Sequence, residues 1–279
     1  MRADYFSARA AGYARFRPTY PDAIFRWLAE LAPGRALAWD CATGNGQAAI
    51  GLATWFERVV ATDASEAQIE HARPHPRVEY RVAPAERSGL AAASADLVTI
   101  AQALQWVPVG EFYEEARRVL RPGGVLAAWC YGNAVLDDPA LDRIFQTFAN
   151  DTIGPYWPAE RRHIDAGYRD LPFPFDELEP PASSLERGMT LAELTGYMRT
   201  WSAVQRYVTA HGRDPVDDVE AALRAAWGDP ERARHVRWPL AFRVGRAAGS
   251  AGSLAAARER ATIGPAAGDP QEPPQSGLR

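Results

Sequence analysis

The sequence predicts a doubly wound α/β domain built on a parallel sheet, on three observations. Short apolar runs alternate with helical patterns between residues 36 and 132. The runs are apolar throughout rather than at every second position, as in strands covered on both faces. Each link is long enough for a crossover, and right-handed crossovers place helices on both sides of one sheet.

The elements follow in order. A helix is expected to start near Pro21, which suits a first helical position, with Ile24, Phe25, Leu28 and Leu31 at helical spacing until Pro33-Gly34. ALAWDCA (36–42) reads as the first strand, TGNG (43–46) as a turn and Gln47 to Phe56 as a helix. RVVATDA (58–64) reads as the second strand, and Ser65 with Gln68 has the pattern of a capping box. VEYRVAPA (78–85) and ADLVTIAQA (95–103) are the third and fourth strands. A helix from Glu111 to Leu120, ended by Pro122-Gly123-Gly124, leads to the fifth, VLAAWCYG (125–132). Beyond it, Leu141, Ile144, Phe145 and Phe148 indicate a helix, and GPYWP (154–158) and LPFPF (171–175) read as loops. Thr190 and Glu193 form a second capping-box pattern, Pro215 to Trp227 a further helix, and VRWPLAFRV (236–244) a last strand.

The expected organisation is one domain over 1–246. Within it, 1–20 is an arm rich in aromatic residues and arginine, 36–132 a ligand-binding core, and 133–234 a set of substrate-side helices and loops. Residues 247–279 are rich in Ala, Gly, Pro and Ser, with little to bury, and are expected to be disordered. The chain has 279 residues, of which 47% are hydrophobic, enough for one sizeable core. A net charge of -4 without a clustered basic face argues against a nucleic-acid partner. The two cysteines, Cys41 and Cys130, lie in apolar runs and make neither a disulfide framework nor a metal site. No signal-peptide core and no uninterrupted apolar span of about 18 residues is present, so the expected setting is cytoplasmic, with no membrane partner.

Asp40-Cys41-Ala42-Thr43-Gly44-Asn45-Gly46 carries the chemistry. A strand ends, and small residues turn the backbone tightly into a helix, leaving main chain open to a ligand. Asp63 ends the next strand, where a carboxylate can accept hydrogen bonds from both ribose hydroxyls of an adenosine. A plain βα turn with a surface aspartate would read the same locally. Gly44-x-Gly46-x-x-Ala49 also fits a dinucleotide fingerprint, and hence a nicotinamide-dependent oxidoreductase. Two features point away from it: Asp40 suits a cationic amino group better than a pyrophosphate, and an arm and a helix precede the first strand.

A third is a resemblance that runs through YFSARAAGYARFRPTYP, AWDCATGNGQ, VVATDAS, APAE, ADLVTIAQALQWV and RVLRPGGVLAAW. With MRTWSAVQRY (198–207) and WPLAFRVGR (238–246), these segments resemble class I S-adenosylmethionine-dependent methyltransferases of small-molecule type, nearest the trans-aconitate methyltransferase-like group. The resemblance implies a mostly parallel, seven-stranded, Rossmann-like sheet whose last strand is antiparallel. It implies S-adenosyl-L-methionine as cofactor and a small-molecule methyl acceptor, possible acceptors including a carboxylic acid. A catalytically silent binder of the same cofactor is the alternative.

Residue by residue, the resemblance places the turn of Ala42, Thr43, Gly44 and Gly46 against the cofactor's methionine part and Asp40 near its ammonium group. Asp63 would hold the ribose, Ala64 line the adenine pocket, Ala85 and Glu86 meet the adenine edge, and Gln102 lie beneath methionine and ribose. Arg17 is expected to grip a carboxylate, the cofactor's or the substrate's, from an arm that closes the pocket with Tyr13 and Tyr20. Gln105, Trp106, Trp129 and Tyr131, near the ends of strands four and five, are the expected substrate contacts. Three positions depart from the family pattern. Ala42 replaces a glycine and is expected to keep a negative φ, Pro84 replaces an aspartate toward adenine, and Gln105 replaces a histidine. No general base and no metal cluster is identified, which fits an acceptor already ionised at neutral pH.

Overall fold

The structure, a computed structural model, describes residues 18–247. Helix α1 (Asp22–Leu31) buries Ile24, Phe25 and Leu28, one face at helical spacing. The core then alternates: β1 (Leu37–Cys41), α2 (Gln47–Leu52), β2 (Arg58–Asp63), α3 (Glu66–Glu70), β3 (Val78–Val82), β4 (Ala95–Ala101), α4 (Val109–Val119) and β5 (Leu120–Tyr131). All five residues of β1 are buried, and of β2 only its first residue is exposed. That is the burial expected of strands covered on both faces.

The strand order is β3-β2-β1-β4-β5, parallel throughout, with the long last strand β9 (Arg234–Arg246) antiparallel beside β5. Three short strands raise the count above the expected seven, to nine. β6 (Val135–Leu136), β7 (Asp176–Leu178) and β8 (Ser184–Met189) all pair with β9. β9 reaches past the end of β5, and β8 pairs with the overhanging half, from Pro239 to Arg234. The sequence hid β7 and β8 because they are half-exposed edge segments, DEL and SLERGM, without an apolar pattern.

One core layer lies on the α1–α2 side, with Leu28, Phe56, Leu97 and Trp129, and another on the α4 side, with Trp39, Phe112, Cys130 and Tyr168. Each fully buried Leu or Phe contributes about 1.5–3 kcal/mol of transfer free energy. A third cluster gathers α5 (Pro139–Thr147), α7 (Leu191–Arg199), α8 (Ser202–His211) and α9 (Pro215–Trp227) around Phe145, Met198, Trp227 and Trp238. The short α6 (Arg161–Asp165) lies between α5 and β7 in sequence.

Local signals fared unequally. The Thr190–Glu193 capping box forms in both directions. The expected box at Ser65 does not: its side chain caps nothing, and its backbone N–H instead donates to Asp63 Oδ1 at 2.9 Å. The fifth strand begins five residues earlier than expected, because Leu120 already pairs with Ala95 across an irregular register.

Candidate functional site

The carboxyl ends of β1 and β2 meet at a pair of carboxylates. Asp40 is 1% exposed, with Oδ1 accepting from the Thr99 hydroxyl at 2.7 Å and Oδ2 from the Thr43 hydroxyl at 2.5 Å. Burial, opposed by these hydrogen bonds, lifts its pKa to about 6, and nearby Asp63 adds to the rise. Asp63 is half-buried; its Oδ2 accepts from Gly44 N–H and its Oδ1 from Ser65 N–H, each at 2.9 Å. Burial raises its pKa as well. Among the described residues, neither carboxylate is ion-paired to an arginine or histidine.

Between them the chain turns through left-handed backbone: Ala42 at φ 51°, Gly44 at φ 58° and Gly46 at φ 86°. Ala42 therefore corrects the expectation of a negative φ. An L-residue there is strained by roughly 1–2 kcal/mol, so the turn is held by its surroundings rather than by its own preference. Gly44 opens onto space, the nearest atom to an added Cβ being Gln68 Oε1 at 3.9 Å. Gly46 is covered: a Cβ would lie 2.1 Å from the Tyr80 hydroxyl, so the outer end of that half-exposed side chain would have to move, and the φ of 86° itself favours glycine. Of the remaining expected residues on this side, Ala64 and Glu86 are exposed, Pro84 is half-buried and Ala85 is buried.

The end of β4 forms the next wall. Gln102, at φ 57°, takes its place through its backbone N–H to Trp129 O and its side-chain Nε2 to Tyr131 O, at 2.8 and 3.1 Å. Gln105 lies in the turn Leu104–Trp106 and donates from Nε2 to Gln102 O at 3.1 Å. Its Oε1 accepts from the Tyr168 hydroxyl at 2.6 Å. Gln105 thus spends both ends of its amide on the protein, and Trp106 beside it is half-buried. Trp129 is fully buried on the α1 side of the sheet, where Tyr20 meets it edge-on at 5.5 Å. Tyr131 is buried at the last position of β5. Arg17 and Tyr13 lie outside the described residues.

Past the end of β5, Arg161 on α6 approaches the chain at Gly132, where an added Cβ would be 3.6 Å from Nη2. Its Nη2 donates to Asn133 Oδ1 and its Nε to Asp165 Oδ1, both at 2.8 Å, and its guanidinium carbon stands 4.4 Å from the centroid of the Trp157 ring. Sequence reasoning missed Thr99, Arg161 and Tyr168 at the site. Thr99 alone had a signal, as the one hydroxyl in an otherwise apolar stretch of strand.

The comparisons bear on this geometry. A methyltransferase domain model matches residues 39–128, the stretch that holds both carboxylates, the turn and Gln102. A protein of Dictyostelium discoideum named as a methyltransferase is 34% identical over 80% of this chain and 86% of its own length. The chain is a class I methyltransferase. A solved structure from Anaeromyxobacter dehalogenans, named as a type II methyltransferase, is similar to it at 49% identity, with a TM-score of 0.80 over 84% of this chain and 99% of that one. A Saccharomyces cerevisiae protein named as an S-adenosylmethionine-dependent methyltransferase is 25% identical over 57% of the chain. These likenesses show the class; they do not show the narrower trans-aconitate-like group.

S-adenosylmethionine is the cofactor of this class, and the methyltransferase's residues fit it. The ligand brings an ammonium, a sulfonium and two ribose hydroxyls. The site offers one buried and one half-buried carboxylate, Asp40 and Asp63, without a basic partner among the described residues, beside a turn whose outer side is open at Gly44. Each Asp63 oxygen uses one lone pair on a backbone N–H and keeps another for a hydroxyl. Among the described residues no group of three or more His, Cys, Asp or Glu could hold a metal ion, and no helix is long and apolar enough to cross a membrane.

Proposed function

We propose that this methyltransferase moves a methyl group from S-adenosylmethionine to a small acidic molecule held at the ends of β4 and β5. The observation that carries the reading is the carboxylate pair Asp40 and Asp63, without a basic partner among the described residues, with Asp40 on the strand next to β4 and its polar wall of Gln102 and Gln105.

When bound, the cofactor supplies an electrophilic methyl group on a good thioether leaving group. The protein's part is alignment, exclusion of water and electrostatics. Asp40 takes the ammonium, and its Thr43 and Thr99 hydroxyls hold the carboxylate oxygens in place for it. Asp63 takes the ribose hydroxyls while tying the Gly44 turn. Ala64 and Ala85 border the adenine, with Glu86 outside them. Gln102 lies beneath the methionine and ribose. Tyr20, edge-on to Trp129, borders the pocket, and Trp106 and Tyr131 border the acceptor.

Both ends of the Gln105 amide are engaged, and a glutamine cannot act as a base at neutral pH. An acceptor that is ionised without help, such as a carboxylate, suits this wall better than an alcohol. The test is release of S-adenosylhomocysteine with a panel of small carboxylic acids, alcohols and amines. Turnover confined to the acids supports the reading. Tight S-adenosylhomocysteine binding with turnover of none of them favours a silent binder instead.

A further inference from the structure

Arg161 uses only part of its guanidinium within the protein. A guanidinium carries five N–H groups along two forked edges. The side edge is spent: Nε–H goes to Asp165 and one Nη2–H to Asn133. The end edge, Nη1 with the second Nη2–H, has no partner among the described residues. The group nevertheless does not swing free. Its side chain is only 14% exposed, its plane stands over Trp157, and two acceptors on different elements fix the orientation of the fork. An arginine immobilised on one edge and unpartnered on the other is pre-organised for a planar oxyanion, since little side-chain freedom remains to be lost on binding.

Its location is equally specific. Gly132 and Asn133 directly follow Tyr131, whose carbonyl holds the Gln102 side chain. Gly132 is the neighbour of both groups: a Cβ there would lie in ordinary contact with Nη2 at 3.6 Å and with Asp165 Oδ1 at 3.8 Å. Arg161 is also close enough to influence Cys130, the residue before Tyr131 on β5. The guanidinium therefore borders the acceptor side of the strand ends, away from the Asp40–Asp63 pair on β1 and β2.

We infer that the end-on fork of Arg161 binds a spectator carboxylate of the methyl acceptor, orienting a second nucleophilic group of the same molecule toward the cofactor. A carboxylate gripped through both oxygens is a poorer nucleophile, so the reacting group is a different one. The acceptor class is then a small molecule with two functional groups, at least one of them a carboxylate. This rests on the methyl-transfer reading above.

The experiment uses the full chain saturated with S-adenosylhomocysteine, titrated calorimetrically with succinate, citrate and salicylate and with the corresponding amides. The wild type is expected to bind one or more acids and to reject the matching amide. Arg161→Gln should weaken that acid by about 10–100-fold, as loss of a charge-assisted bidentate pair implies, while S-adenosylhomocysteine affinity stays within twofold. Arg161→Lys, which keeps the charge but not the fork, should recover only part of the loss. If Arg161→Gln binds S-adenosylhomocysteine normally and acids as tightly as the wild type, the inference is wrong. It is equally wrong if the cofactor product binds the wild type but no acid does. If S-adenosylhomocysteine itself fails to bind the wild type, the methyl-transfer reading fails first.

Discussion

The backbone N–H of Gly44 donates to Asp63 Oδ2 at 2.9 Å, across 19 residues of chain, so the residue proposed to hold the ribose also fastens the turn proposed to hold the methionine. Asp63→Ala removes both functions together. Charge-assisted hydrogen bonds are worth about 1.5–3 kcal/mol each to their partners. Calorimetry should therefore show S-adenosylhomocysteine weakened by at least tenfold. Urea unfolding should show a loss of about 1–2 kcal/mol from the freed Gly44 and Ser65 amides. Asp63→Asn retains an acceptor oxygen and should lose less stability than Asp63→Ala; equal losses would mean the backbone bonds contribute nothing.

Asp40 makes affinity depend on pH. Its folded pKa of about 6 lies above the ordinary carboxyl value of 3.8, so the folded apo state favours the neutral acid. The stability this contributes is complete below the ordinary value and is lost as pH rises through about 6. By about 1.4 kcal/mol per unit, the ionised group costs the apo fold on the order of 3 kcal/mol at neutral pH. Asp40→Asn should therefore be more stable than the wild type at pH 7.5, by about 1–3 kcal/mol, and the gap should close toward pH 4. Ligand binding runs the other way, because an ammonium needs the carboxylate. Wild-type affinity for S-adenosylhomocysteine should fall about tenfold per unit below pH 6, and Asp40→Asn should bind weakly with no such slope. A wild type whose affinity is flat from pH 5 to 7.5 would remove Asp40 from the ammonium site.

Ala42 stores strain that a single methyl group explains. At φ 51° an L-residue is disfavoured by about 1–2 kcal/mol, whereas glycine is penalised by about 0.5–1 kcal/mol through its greater freedom in the unfolded chain. Ala42→Gly should raise stability by about 0.5–1 kcal/mol in urea unfolding and leave S-adenosylhomocysteine affinity within a factor of about three. A destabilised Ala42→Gly would show that the alanine methyl packs more favourably than its backbone is strained.

The parallel core was legible because β1, β2, β4 and β5 are buried on both faces and spell that burial out as apolar runs. Asp40 and Asp63 stood out as charges that end such runs. Other features depend on long-range partners that local pattern cannot show. Ser65 has a capping sequence, yet its backbone is captured by Asp63. Trp129 follows the pattern of a strand end but turns to the α1 face against Tyr20. The wall beyond β5 was hidden for the same reason: Arg161 sits in a short helix in an irregular region, and only its meeting with Gly132, 29 positions earlier in the numbering, gives it a place.

Tyr168 and Gln102 are joined in a way that predicts energetic coupling. Four described non-glycine residues have positive φ, and these two, at 62° and 57°, are linked through the amide of Gln105. The Tyr168 hydroxyl fixes Gln105 Oε1, Gln105 Nε2 fixes the Gln102 carbonyl, and the Gln102 side chain reaches Tyr131 O. Tyr168 is itself fully buried, and its carbonyl accepts from Arg243 on β9 at 2.8 Å, so the relay is anchored in the antiparallel half of the sheet. Tyr168→Phe leaves the buried Gln105 oxygen without its donor, which costs about 1–3 kcal/mol. It should lower S-adenosylhomocysteine affinity several-fold by loosening Gln102, although Tyr168 touches no ligand. Gln105→Met removes the same relay from its middle. If the chain is one unit, Tyr168→Phe combined with Gln105→Met should weaken the ligand no more than Gln105→Met alone, a coupling of at least about 0.5 kcal/mol in a double-mutant cycle. Additive losses of affinity would show that the two side chains act separately and that the strained backbone at Gln102 is held by β4 and β5 alone.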